Sequence, residues 1–191
     1  MAIVAVAAAF VAWLGAALVV LSDGRRGLSL GLALITAGFA VLALASGIYL
    51  GAAAVAVGGL IGSWQCLRSG PPTWVIMPAG STARLVLCIA SGLVALWVAA
   101  LVTTGPGAPL RFAVLVVLGL MGARTLASGE ISIVLTGIAG FALALAAAPG
   151  LAGTSQGDVP DIVGGLAAAG VMFIPPAVQP QGPPRPDKRG T

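Results

Sequence analysis

Apolar runs follow one another along almost the whole chain, and none has an acidic residue, a lysine or a histidine near its middle. A helix that crosses the hydrocarbon core of a bilayer needs about 20 mostly apolar residues. The runs predict seven such helices, at 2–22, 27–46, 48–67, 85–104, 109–123, 131–149 and 161–178. The stretch from Leu28 to Leu67 is too long for one crossing and divides at Ser46-Gly47, where a tight turn fits. The fifth run has barely enough apolar length. The seventh reaches a span only by including Pro175 and Pro176, which break a helix by removing donors and clashing with the preceding turn. Composition agrees with a bilayer setting: 59% of the 191 residues are hydrophobic and 7% are charged, against about 25% charged in a soluble domain. So little charge cannot cover a water-facing surface, and lipid must face most of it. The fold class expected is an all-α polytopic transmembrane bundle over 1–178, followed by a Pro-rich basic tail at 179–191 that cannot fold alone.

The loops give an orientation, because Lys and Arg near span ends concentrate on the cytoplasmic side. Arg25 and Arg26 fall in the first loop, Arg68 and Arg84 flank the third, Arg124 opens the fifth, and Arg185, Lys188 and Arg189 lie in the tail. All of these fall on one side, whereas Arg111, Asp158 and Asp161 fall on the other. The N-terminus is therefore expected outside and the C-terminus in the cytoplasm. The first run has no positive charge before it, and Arg25-Arg26 follow it, so it reads as a retained anchor and not a cleaved signal peptide. The Gly, Ala, Leu and Val bias with short loops suits a bacterial inner membrane. A pI near 10.1 reflects these dispersed loop-end cations and attraction to anionic head groups, not nucleic-acid binding.

Proline on both sides of Trp74-Val75-Ile76-Met77 suggests a segment lying at headgroup level with Trp74 as an interfacial anchor, or a docking patch for a partner. The loop from Pro149 to Asp161 is Gly-rich and acidic. Leu67-Arg68-Ser69-Gly70 and Leu126-Ala127-Ser128-Gly129 each follow an apolar hairpin and suggest a leading helix followed by three hairpins.

Candidate chemistry is sparse. With no histidine, two cysteines and only five acidic residues, no metal site, nucleophile-base pair or intramembrane carboxylate relay can be nominated, so neither an enzyme nor a cofactor is expected. Glu130 is the sole glutamate, and its place at the start of the sixth run suits a helix N-terminus capped by Ser128. The functional alternative is an Arg124/Glu130 pair at a cytoplasmic mouth. Cys66 and Cys88 read as small buried hydrophobes, with a modified or redox-active Cys66 as the other reading. Thr36, Ser91 and Thr136 read as packing hydroxyls. Small residues four apart let helix backbones approach closely in lipid. The pairs singled out are Gly58 with Gly62, whose face Ala54 extends, and Gly140 with Ala144; Gly27 with Gly31, Gly47 with Gly51, and Ala148 beyond Ala144 repeat the spacing.

Two resemblances accompany these residues. Arg25-Arg26 before Leu28 to Ala45, Arg124 before Ile131 to Ala148, and Pro160-Asp161-Ile162-Val163 make the chain resemble the small multi-span subunit in the membrane arm of complex-I-like assemblies such as group 4 membrane-bound hydrogenases. That family generally has a glutamate in the sixth span and a lysine in the third, where this chain reads Leu135-Thr136-Gly137 and Gly59-Leu60-Ile61-Gly62. The resemblance therefore implies a structural subunit more than a proton carrier. Segments Leu30 to Gly70 and Gly129 to Gly150 also resemble the Gly-rich hairpins of the HdeD-like acid-resistance membrane proteins, which have six spans. The function expected from the sequence is a non-catalytic structural or assembly subunit of a membrane complex, with other membrane subunits or copies of itself as partners. The rival is a transporter or channel for a small neutral or hydrophobic solute, lined by hydroxyls, Gly and backbone groups.

Overall fold

The computed structural model describes residues 2–68, 82–102, 107–127, 131–148, 159–171 and 173. Within them the chain forms seven helices: α1 (Ala2–Leu21), α2 (Arg25–Ala45), α3 (Tyr49–Arg68), α4 (Thr82–Val102), α5 (Ala108–Ala127), α6 (Ile131–Ala147) and α7 (Val159–Val171). Four of these, α1, α2, α3 and α5 through Leu126, are long and apolar enough to cross a membrane. The others contribute shorter apolar stretches at Leu85–Val98, Ile133–Ala147 and Val159–Val171.

One of the seven expected runs is longer than the sequence suggests. The fifth, read as ending at 123, continues to Ala127, because Arg124 in its last turn is buried and neutralised by Asp23 and does not have to end the apolar helix. Of the seventh, expected over 161–178, the described residues form a helix over Val159–Val171, and the rest of that run apart from Phe173 lies outside the described residues. At about 1.5 Å per residue those 13 residues are shorter than a bilayer core of about 30 Å.

The division at Ser46-Gly47 has a local cause. Ser46 caps α2, and Gly47 takes φ +82, a left-handed conformation that glycine adopts without a Cβ penalty. The Gly47 N–H donates to the Leu44 carbonyl and the Ile48 N–H to the Ala43 carbonyl, which together form the Schellman ending of a helix. The Ile48 carbonyl then accepts from the Ala52 N–H, so α3 begins at once.

Six helices form a ring in the order α1, α2, α3, α7, α6, α5, and α5 packs back on α1. α2 also reaches α6 across the middle of the ring. Leu28, Leu32, Ile35, Leu120, Met121 and Leu143 fill this interior. Thr36 is buried there too and satisfies its hydroxyl within its own helix by donating to the Leu32 carbonyl at 2.8 Å. α4 stands outside the ring, against the seam between α5 and α1. The three hairpins suggested by the sequence therefore do not occupy equivalent places: α2–α3 and α6–α7 lie within the ring, whereas α4–α5 has one helix in it and one outside.

Small residues set how closely the ring helices approach. A Cβ on Gly15 would lie 2.7 Å from the Gly31 carbonyl oxygen and 2.7 Å from the Ile35 nitrogen. On Gly38 it would meet the Ala8 carbonyl at 2.7 Å. Backbone is thus against backbone along α1 and α2, and dispersion contacts that a larger side chain would prevent hold the pair together.

Candidate functional site

Two places on the bundle gather functional character. One is the end where α1 finishes, α2 begins and α5 finishes. Arg124 is 4% exposed, donates from Nη2 to the Ser22 carbonyl at 3.0 Å, and forms an ion pair with Asp23. Arg25 lies at the same end, where its carbonyl faces the Cys66 Sγ at 3.9 Å. Cys66 is buried and also faces the Thr136 hydroxyl at 3.9 Å, which joins the end of α3 to α6. Arg68 lies 3.8 Å over the Trp64 ring, a cation-π contact that keeps its charge at the end of α3. The cations of the first loop and of the ends of α3 and α5 thus share one end of the bundle. Asp161, in the first turn of α7, is buried against Gly51 at the other end. Removing one partner of the Arg124–Asp23 pair would leave a buried charge uncompensated, so the pair ties the end of α5 to the α1–α2 turn. Among the described residues no three His, Cys, Asp or Glu side chains gather as a metal would require.

The second place is a cleft of about 460 Å³ between α4 and the α1/α5 seam. Val6, Ala9, Phe10 and Trp13 of α1 line it, spaced so that they share one helix face. Ile89, Gly92, Leu93 and Leu96 of α4 form the facing wall with the same spacing. Ala108, Pro109 and Phe112 at the start of α5 close one end. The two walls come together at Gly92, where an added Cβ would lie 2.8 Å from the Trp13 Nε1. Phe10 and Trp13 stack with centroids 5.2 Å apart at 41°, which gives the α1 wall a rigid aromatic ridge. The indole N–H of Trp13 is buried and has no hydrogen-bond partner. In volume and lining the cleft falls within the range of small-molecule sites, about 300–1,000 Å³ and mostly apolar.

The residues singled out from the sequence fall in several places. Gly58 lies on the Gly165 backbone, so its face joins α3 to α7 within the chain. Gly62 is buried on α3. Gly140 lies on Met121, with an added Cβ 2.9 Å from Sδ, and Ala144 is fully buried. Arg124 has Asp23 as its ion-pair partner. Glu130, Ser128 and Trp74, and with them the Arg124/Glu130 pair and the headgroup-level segment, lie outside the described residues. Cys66 and Cys88 are both buried free thiols.

Sequence reasoning missed Asp23, since nothing local signals a partner 101 positions away. It also missed the cleft. The repeated apolar spacing on α1 and α4 was visible, but not that α4 stands off the ring. Comparison with protein-family profiles, with curated proteins and with solved structures finds no match to this chain.

Proposed function

We propose that the chain is a multi-pass helical membrane protein that takes a hydrophobic molecule from the bilayer into the cleft beside α4. The proposed setting is a bacterial inner membrane, with the N-terminus outside and the Arg25/Arg26/Arg124 end in the cytoplasm. The cleft carries this reading: an apolar space of about 460 Å³ walled by two helix faces, next to the least anchored helix of the bundle. The positive-inside tendency supports the orientation. The subunit reading rests on the missing ionisable groups, the missing soluble domain and the close-packing small-residue faces. Of those faces, Gly31 packs on α1 and Gly58 on α7 within the chain.

The test begins with the tagged protein extracted in a mild detergent. Expected is a hydrophobic small molecule in near-stoichiometric amount in the organic extract, lost when Val6→Trp and Leu93→Trp place rings in the cleft. Recovery with partner polypeptides and no enriched small molecule would overturn this reading and favour the structural subunit.

A further inference from the structure

We propose that the molecule held in the cleft carries a carbonyl oxygen within an otherwise apolar skeleton, and that the Trp13 indole N–H is the group that selects it. This rests on the cleft being a binding site, and it adds the chemical class. Three observations meet at Trp13. The ring lines the cleft, its Nε1 is buried without a partner, and the neighbouring lining residues Phe10, Ile89, Leu93 and Phe112 offer no acceptor side chain. A buried donor left unpaired is costly, more so where no water is at hand to satisfy it. An acceptor arriving with the ligand removes that cost, and a purely hydrocarbon ligand does not.

Depth narrows the class. Trp13 lies 11 residues from the first residue of α1 and 8 from its last, or roughly 16 Å and roughly 12 Å along a helix. In a core of about 30 Å this is close to the midplane. The ester carbonyls of bilayer phospholipids sit with the polar interfacial region and do not reach that depth. The ligand class is thus a neutral carbonyl compound that sinks into hydrocarbon, such as a long-chain ketone, and not a bilayer phospholipid held by its ester. Nε1 is covered where Gly92 lies against it, so an acceptor reaches it only as α4 shifts off the indole at Gly92. There α4 meets the indole with no side chain of its own between them, and among the described residues α4 packs chiefly on α5 and α1.

Two probes of equal length separate the hydrogen bond from apolar burial. Bound 1-aminoanthracene is displaced from the purified full chain in detergent by 2-tridecanone and by n-tridecane, for the natural protein and for Trp13→Phe. Phe keeps an aromatic ring beside Phe10 and removes the donor. The expected result is that the substitution weakens displacement by the ketone roughly five- to tenfold and leaves displacement by the alkane unchanged. In the natural protein labelled with ¹⁵N-tryptophan, the ketone should also move the Trp13 indole N–H resonance downfield and the alkane should not. This second readout does not depend on how the variant folds. Equal effects of Trp13→Phe on both probes, or an indole resonance that the ketone does not move, would overturn the proposal while leaving the cleft as a site. Failure of both probes to displace the dye from the natural protein would overturn the cleft reading as well.

Discussion

Arg124 in the last turn of α5 is paired with Asp23 in the turn between α1 and α2, and the same guanidinium holds the Ser22 carbonyl at 3.0 Å. Two contacts from one side chain fasten the end of α5 to the α1–α2 connection, on the seam that closes the ring. Arg124 is almost wholly buried, whereas Asp23 is 30% exposed, so the arginine depends on this partner more than the aspartate does.

Removing Asp23 alone should therefore be costly. Asp23→Ala leaves a buried guanidinium without its counter-charge and is expected to destabilise by about 3 kcal/mol, the low end for breaking a buried pair, because Asp23 keeps some access to water. The double variant Asp23→Leu/Arg124→Met buries no charge and should recover most of the loss. Thermal unfolding of the four proteins in one detergent forms the cycle that checks this.

Glycines on backbone contacts should respond differently from glycines in open space. Gly58→Leu must push α3 off the Gly165 backbone and should lower the unfolding midpoint strongly. Gly119→Ala, with nothing within 4 Å of an added Cβ, should leave the midpoint unchanged or raise it. Gly140→Ala meets the flexible Met121 side chain and should fall between them. Midpoints from one melting series give the ranking.

α4 should be the first helix to loosen. It packs on its two neighbours more thinly than any ring helix does on its own, and its Val86, Leu93, Val94, Leu96 and Trp97 are all exposed on the bundle. Amide exchange in Leu85–Val98 should be faster than in α1 or α2. Gly92→Leu, which drives a side chain into the rigid Trp13 ring, should speed it further without changing exchange in α2.

The thiols and the ends of the bundle make a labelling test of orientation. Cys66 and Cys88 are buried, so a membrane-impermeant maleimide should leave the natural protein unlabelled until it is unfolded. Tyr49→Cys, exposed at the end opposite Arg26, should label in intact cells. Arg26→Cys should label only after the membrane is opened. The reverse pattern would place the Arg25/Arg26 end outside.

Which segments would be helices, and that several would be long and apolar enough to cross a membrane, followed from the sequence, because apolar length and the near absence of charge are local properties that need no partner. The α2–α3 boundary was equally legible, since Gly47 supplies the left-handed residue that a Schellman ending requires. The partition of charge to the two ends also followed, because alternating helices place alternate loops on the same end. Sequence alone could not place α4 outside the ring, pair Arg124 with Asp23, or say that Gly58 meets Gly165 and not another protein. The physical reason is common to all three: every apolar helix of this composition offers small residues and aliphatic surface on several faces, and lipid competes with each on nearly equal terms. Which face meets which neighbour is therefore decided by the assembled bundle, and so is the cleft left beside Trp13, where Gly92 of α4 lies against the indole.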